Sequence, residues 1–156
     1  MPRLDRLPEA SRKAILALVK QVNDTAPFVR PPKPLAASRL AIVTTAGLHR
    51  RADRRFNPGE QTYREIPSDT PVADILQSHT SIGFDRTAIL RDLNVTFPIE
   101  RVRELVARGV LGGEAPRHYS FMGALRDVAT LERESGPEVA RRLRDDGADA
   151  VLLTPT

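Results

Sequence analysis

Three histidines, a short run of acids and amides between residues 85 and 94, and hydroxyls at Ser120 and Thr154 are the side chains whose chemistry goes beyond packing. His49 follows the apolar run Leu40–Thr45, a position from which an imidazole contacts a substrate or takes a proton. The competing reading is a surface histidine in a basic loop. His79, within Gln77-Ser78-His79-Thr80, stands shortly before Asp85 and Asp92, residue types suited to acid–base work. Asn94 and Asp92 precede a helix start, where they either shape a turn or reach a substrate. Ser120 and Thr154 lie at the ends of predicted strands, where a hydroxyl can hydrogen-bond a substrate carboxylate. His118 opens a strand and reads as a packed histidine. The histidines are scattered without His-x-x-x-His spacing, so no metal site is expected.

Cysteine is absent, which removes a disulfide framework, a zinc ribbon and a thiol nucleophile from these 156 residues. Basic residues exceed acidic ones by 24 to 20, for a net charge of +4, and apart from Lys13, Lys20 and Lys33 they are all arginine. Part of the excess lies in His49-Arg50-Arg51-Ala52-Asp53-Arg54-Arg55, which reads as a solvated loop or as a site for an anion or acidic partner. No aromatic platform is interleaved with these arginines, so nucleic acid is not an expected partner. The glycines form neither a dinucleotide fingerprint nor a phosphate loop, and no cofactor is expected within the chain. There is no apolar stretch of membrane-spanning length, and the charged start MPRLDRLPEASRK does not resemble an export signal; a cytoplasmic location without membrane contact is expected.

The elements that would position these side chains alternate in type. A helix is predicted from about Pro8 to Asn23, with Ile15, Leu18, Val19 and Val22 at helical spacing. Four prolines between Asp24 and Ser38 mark an extended connector. Leu40–Thr45, ended by Ala46-Gly47, reads as a strand buried on both faces, as in a parallel sheet. Tyr63–Ile66 is expected as an edge strand, Ser81–Phe84 as a further strand, and Asp85–Leu93 as a turn of helix. Pro98–Arg108 is the clearest helix, closed by Gly109. His118–Met122 follows as a strand, then a helix from Leu131 or Pro137 to Asp146. Ala148–Thr156 reads as a buried core strand. This order predicts an α/β fold: a layered, mostly parallel Rossmann-like sheet with flanking helices, incomplete as it stands. Residues 1–36 form the N-terminal helix and connector, and residues 37–156 the α/β domain. Open sheets of this type bind ligands outside the carboxyl ends of their strands, here Thr44–His49, Tyr119–Gly123 and Leu153–Thr156.

Five of these segments, in order, resemble the glycine, sarcosine, betaine and D-proline reductase family in its selenoprotein B component: Leu40–Gly47, Asp92–Leu105, Gly109–Gly112, His118–Gly123 and Asp145–Thr156. The resemblance implies an oxidoreductase component that cleaves a small amine or amino-acid substrate reductively, using a selenol or thiol and a dithiol couple. It places the redox residue just after Thr156, so the chain is expected to be truncated there, as a selenocysteine codon read as stop would leave it. It also associates the neighbourhood of His79 and Asp85 with a richer His/Asp cluster in the D-proline branch, of which only those two remain. His49, His79, Asp85, Asn94, Ser120 and Thr154 are the expected substrate-contacting residues. Partner reductase subunits and a homo-oligomer are the expected associations. The other reading is a non-catalytic α/β subunit that completes its sheet with a partner and binds a small anion.

Overall fold

The computed structural model describes residues 4–18, 29–80 and 86–155. The chain divides into two compact units, Met1–Arg30 and Pro31–Thr156. The first holds a helix, α1 (Glu9–Leu18), braced by a Lys13–Glu9 pair one turn apart. The end predicted for it near Asn23 lies outside the described residues, as does the strand predicted at Ser81–Phe84.

In the second unit the order is β1 (Arg39–Thr44), β2 (Leu48–Arg50), β3 (Tyr63–Pro67), β4 (Ile75–Gln77), α2 (Thr87–Arg91), α3 (Ile99–Ala107), β5 (Gly113–Glu114), β6 (Arg117–Phe121), α4 (Gly136–Asp145) and β7 (Ala150–Thr154). The centre is β1. It pairs in parallel with β7 along Leu40–Thr44, and in parallel with β5 and then β6. A strand has two edges, so β5 and β6 share the one opposite β7. β3 closes that side, antiparallel to β6, which suits a strand ending in Pro67.

Alternation along β1 builds a layer on each face. Ile42 joins Phe97, Ile99, Val102 and Leu111 under α3, and Ala41 joins Tyr119, Phe121, Val139 and Leu143 under α4. The predicted α/β fold with a mostly parallel sheet and flanking helices is the observed one. Arg117 locks the second layer to the sheet by donating from Nε and Nη2 to the two carboxylate oxygens of Asp146 at 2.9 and 2.7 Å.

Between β5 and β6 the ladder along β1 is interrupted at Ala115-Pro116, which belong to neither strand. A side chain fills the gap. The Ile42 N–H donates to His118 Nδ1 at 2.9 Å, and His118 Nε2 lies 2.7 Å from Glu114 Oε1. Since Nδ1 accepts, the proton sits on Nε2 and is donated to Glu114.

Two expectations change. Ile75–Gln77 forms a strand not foreseen in the sequence. It pairs antiparallel with Leu48–Arg50, which had read as loop, in a ribbon of three residues each, too short to show a periodicity. The second change concerns the last strand. β7 is not buried: Val151, Leu152 and Leu153 are 40%, 38% and 69% exposed. Its apolar run matches an inner strand, but among the described residues it pairs only with β1, so its outer edge is open.

Candidate functional site

The parallel strands β1, β6 and β7 end together. Thr44 is in register with Ser120 on one side and Thr154 on the other, so three hydroxyl residues form a row across the sheet. They share the α3 face, because Ile42, two residues before Thr44, packs there. The Thr44 hydroxyl accepts from Ala46 N–H at 3.2 Å and lies 3.1 Å from the Thr154 carbonyl and 3.4 Å from the Thr96 carbonyl. Its single proton goes to the nearer acceptor, Thr154 O, which also receives the Thr45 N–H at 3.2 Å. Ser120 Oγ accepts from Leu48 N–H at 2.7 Å and holds the next segment against the row.

Beyond Thr44 the chain turns sharply at Gly47, whose φ of +65° is costly for any residue with a Cβ. A Cβ there would also come within 3.1 Å of the His79 backbone nitrogen. The turn is fixed by Gly47 N–H to Phe121 O and Ser78 N–H to Gly47 O, both 2.9 Å, and by Gln77 Nε2 to Ala46 O at 3.0 Å. The turn sets the His79 backbone against Gly47, and His79 is almost fully buried. Burial first, and then the Arg86 guanidinium, push its imidazole below the ordinary histidine value. Arg86 Nη2 donates to the His79 carbonyl.

The hydroxyls of Thr96 and Thr154 and the Gln77 Oε1 are buried with no hydrogen-bond partner among the described residues. Leaving such a group unpaired costs about 1–3 kcal/mol. Of these, Thr154 stands at the end of β7 in register with Thr44, while the Thr96 carbonyl lies 3.4 Å from the Thr44 hydroxyl and Gln77 Nε2 bonds Ala46 O just beyond it.

The expected site residues separate into groups. Thr154 and Ser120 lie in the row, Ser120 with its hydroxyl accepting a backbone N–H, and His79 lies against the Gly47 turn. Asn94 is spent on the start of α3: its Nδ2 donates to Asp92 Oδ1 at 2.9 Å and Glu100 Oε2 at 2.6 Å, and its Oδ1 accepts from Glu100 N–H at 3.2 Å. His49 is buried on β2, with Nδ1 2.8 Å from the Arg50 carbonyl, and is not the surface residue its basic neighbours suggest. Asp85 lies outside the described residues. Thr44, Thr96 and Gln77 were not singled out in the sequence. The pair Thr44-Thr45 closing an apolar run was the available signal for the first; Thr96 and Gln77 reach the row only through tertiary packing.

The arginine loop is organised by its own carboxylates. Arg50 clasps Asp53 with Nε and Nη2 at 3.0 and 2.8 Å, Arg51 pairs with Asp74 at 3.3 Å, and Arg54 and Arg64 both reach Glu60 at 2.8 Å. Burial pushes the Glu60 carboxyl up, but the Asn57 N–H, the Thr62 hydroxyl and Arg64 pull it down to about 2. Among the described residues no group of three or more His, Asp or Glu side chains is arranged to hold a metal, and no helix is long and apolar enough to cross a membrane.

The His79 environment gives a pH-dependent expectation. A histidine whose folded pKa is depressed binds its proton more readily in the unfolded chain. Its contribution is complete above the ordinary imidazole value near 6.5 and is lost as pH falls from there toward the folded value. Urea unfolding at a series of pH values is expected to show stability declining below about pH 6.5, with a shallower decline in His79→Gln. Equal slopes would contradict the assignment.

A family model described as glycine/sarcosine/betaine reductase selenoprotein B matches residues 17–156. Over 135 residues the chain is 41% identical to the D-proline reductase subunit gamma of Acetoanaerobium sticklandii, covering 82% of this chain and 55% of that protein. It is 29% identical over 134 residues to the sarcosine reductase complex component B subunit beta of Peptoclostridium acidaminophilum, covering 81% and 30%. It is 28% identical over 140 residues to the glycine reductase complex component B subunit gamma of Symbiobacterium thermophilum, covering 85% and 32%. The chain thus spans about half the length of the first relative and about a third of the other two. No solved structure matches it.

Proposed function

The chain belongs to the glycine/sarcosine/betaine reductase selenoprotein B family, and from that premise we propose that it serves a reductase complex by forming one wall of the site where a small amine or amino acid is cleaved reductively. The observation that carries this reading is the row of hydroxyl residues Thr44, Ser120 and Thr154 where the parallel strands end, with the Thr154 hydroxyl buried and without a partner among the described residues. That is where open α/β sheets take their ligands. Hydroxyl donors on a fixed sheet edge suit a substrate carboxylate, and the neutral imidazole of His79 suits taking the proton of a resolving thiol and returning it to carbon.

The redox step needs a group that these 156 residues lack, since none is cysteine. A selenolate or thiolate from another polypeptide segment attacks the carbon bearing the ammonium group, and the C–N bond breaks with its electron pair leaving on the neutral amine. A second thiol then attacks the selenium or sulfur, the carbon takes a proton, and a selenenyl sulfide or disulfide carries away the oxidising equivalent. The roles of this chain's residues are to bind, orient and move a proton.

The test reads the coding frame past Thr156 and assays dithiol-dependent amine release from glycine, sarcosine, betaine and D-proline, using the chain with its natural continuation or co-purifying subunits. The expected result is activity only when a selenocysteine- or cysteine-bearing segment is present, with Thr154→Val lowering kcat/KM by about tenfold to a hundredfold, the loss of one hydrogen bond to a charged group. Turnover by residues 1–156 alone would overturn the reading. So would the absence of any such segment from both the frame and the complex.

A further inference from the structure

β7 has the side-chain pattern of an inner strand and the position of an outer one. Ala150-Val151-Leu152-Leu153-Thr154 is apolar on both faces, as strands covered by helices on both sides are. Strands that stay at an edge are normally guarded by lysine, proline or a bulge, and β7 has none of these. Beside it, on the α4 face, lies a groove of about 380 Å³ walled by Val43, Phe121, Val139, Leu143, Val151 and Leu153. α4 contributes Val139 and Leu143 to its floor, both buried in the core, and Gly136 and Ala140, one helical turn apart and without bulk, to its rim. A second helix could therefore lie alongside α4 at the usual close spacing of about 8–10 Å. Arg144, one turn beyond Ala140 and exposed, gives that seat a basic flank.

We infer that the outer edge of β7 and this groove are the docking surface for one further parallel strand and an amphipathic helix with an acidic flank, both from a segment homologous to the part of the relatives that this chain does not match. The relatives supply the reason to choose that occupant. The 41% identical protein has only 55% of its length accounted for by this fold, so about as much chain again accompanies these elements in the family. The added strand would bury Leu152 and Leu153 and pair the open edge, and the helix would fill the groove. Topology and exposure carry the inference, not the redox chemistry, so it is read by binding and not by turnover.

The experiment co-expresses residues 1–156 with the unmatched portion of that relative as a separate polypeptide, so that the segment can fold on its seat. Light scattering is expected to show a one-to-one complex. Amide exchange is expected to slow in residues 136–143 and 150–154 relative to the chain alone. Leu153→Lys and Ala140→Trp should each weaken the complex by about tenfold or more, the loss of a central anchor, without changing the circular dichroism of the isolated chain. Leu90→Lys, a change at an 80% exposed position on α2, should leave binding unaltered. No complex, or protection confined to other elements, would overturn the inference. A homodimer protecting the same residues would do so as well, because the occupant would then be a second copy of this chain.

Discussion

His118→Ala is expected to destabilise the protein by about 4 kcal/mol, near the upper end for a single buried side chain. His118 is fully buried, and both ring nitrogens are engaged. Truncation would leave the Ile42 N–H without an acceptor in the middle of the central strand. It would also remove a hydrogen bond from Glu114, a carboxylate then left with Arg103 Nε at 3.6 Å. An orphaned buried amide costs about 1–3 kcal/mol. The loss of the edge-on contact with Phe97, whose ring centre lies 5.6 Å away, adds a cavity term. Because Nδ1 is the acceptor, His118→Asn should recover part of the loss: its Oδ1 can take the Ile42 N–H while the link to Glu114 stays broken. Denaturant unfolding of the three proteins checks this order, and equal midpoints for the asparagine and alanine variants would remove the acceptor role from His118.

Gly112→Ala is expected to cost about 3 kcal/mol, at the severe end of overpacking. A Cβ at Gly112 would sit 2.6 Å from Ala37 C, 2.8 Å from Ser38 N and 2.9 Å from Ala37 Cα. All three are backbone atoms, so no side chain can swing aside. The turn they belong to is pinned: Gly112 N–H is shared between Leu35 O and Ser38 O at 3.0 Å each, Ser38 N–H bonds Leu35 O at 3.0 Å, and Ser38 Oγ donates to Pro34 O at 3.0 Å. Relief would have to move the start of β1 against β5, and with it the register that aligns Thr44, Ser120 and Thr154. The neighbouring glycine is the internal control. At Gly113 a Cβ would meet only Arg39 Nε, at 3.9 Å, so Gly113→Ala should shift the thermal midpoint little. A similar loss at both positions would mean that the close approach at Gly112 is not what matters.

Both predictions concern residues around β5, Gly112 just before it and His118 just after the joint to β6, where the sequence was only partly legible. Glu114 and His118 stand four apart, and the histidine read correctly as packed. Its repair of the β1 ladder did not, because the need for it arises only when Ala115-Pro116 is laid against Ile42. The same limit applies to the candidate site. Ser120 and Thr154 were recognisable as strand ends, since apolar runs closed by hydroxyls and glycine mark where a buried strand emerges. Which strand ends lie side by side depends on strand order, and that comes from long-range pairing, as does the arrival of Thr96 and Gln77.

What the sequence determined by itself was local or periodic: the apolar run of β1, the amphipathic spacing of α3 between Pro98 and Gly109, the α/β alternation, and the five ordered segments that carry the family resemblance. Only the tertiary structure decided the rest. It made β7 an open edge although its residues match a buried strand, because burial depends on what lies beside a strand and not on the strand's own pattern. It buried His49 within a basic run, because the neighbouring arginines turn to carboxylates of their own chain. And it assigned Asn94 to the start of α3, because a short amide near a helix N-terminus finds backbone and carboxylate partners within two to six residues, a contact that spacing permits but only the folded turn selects.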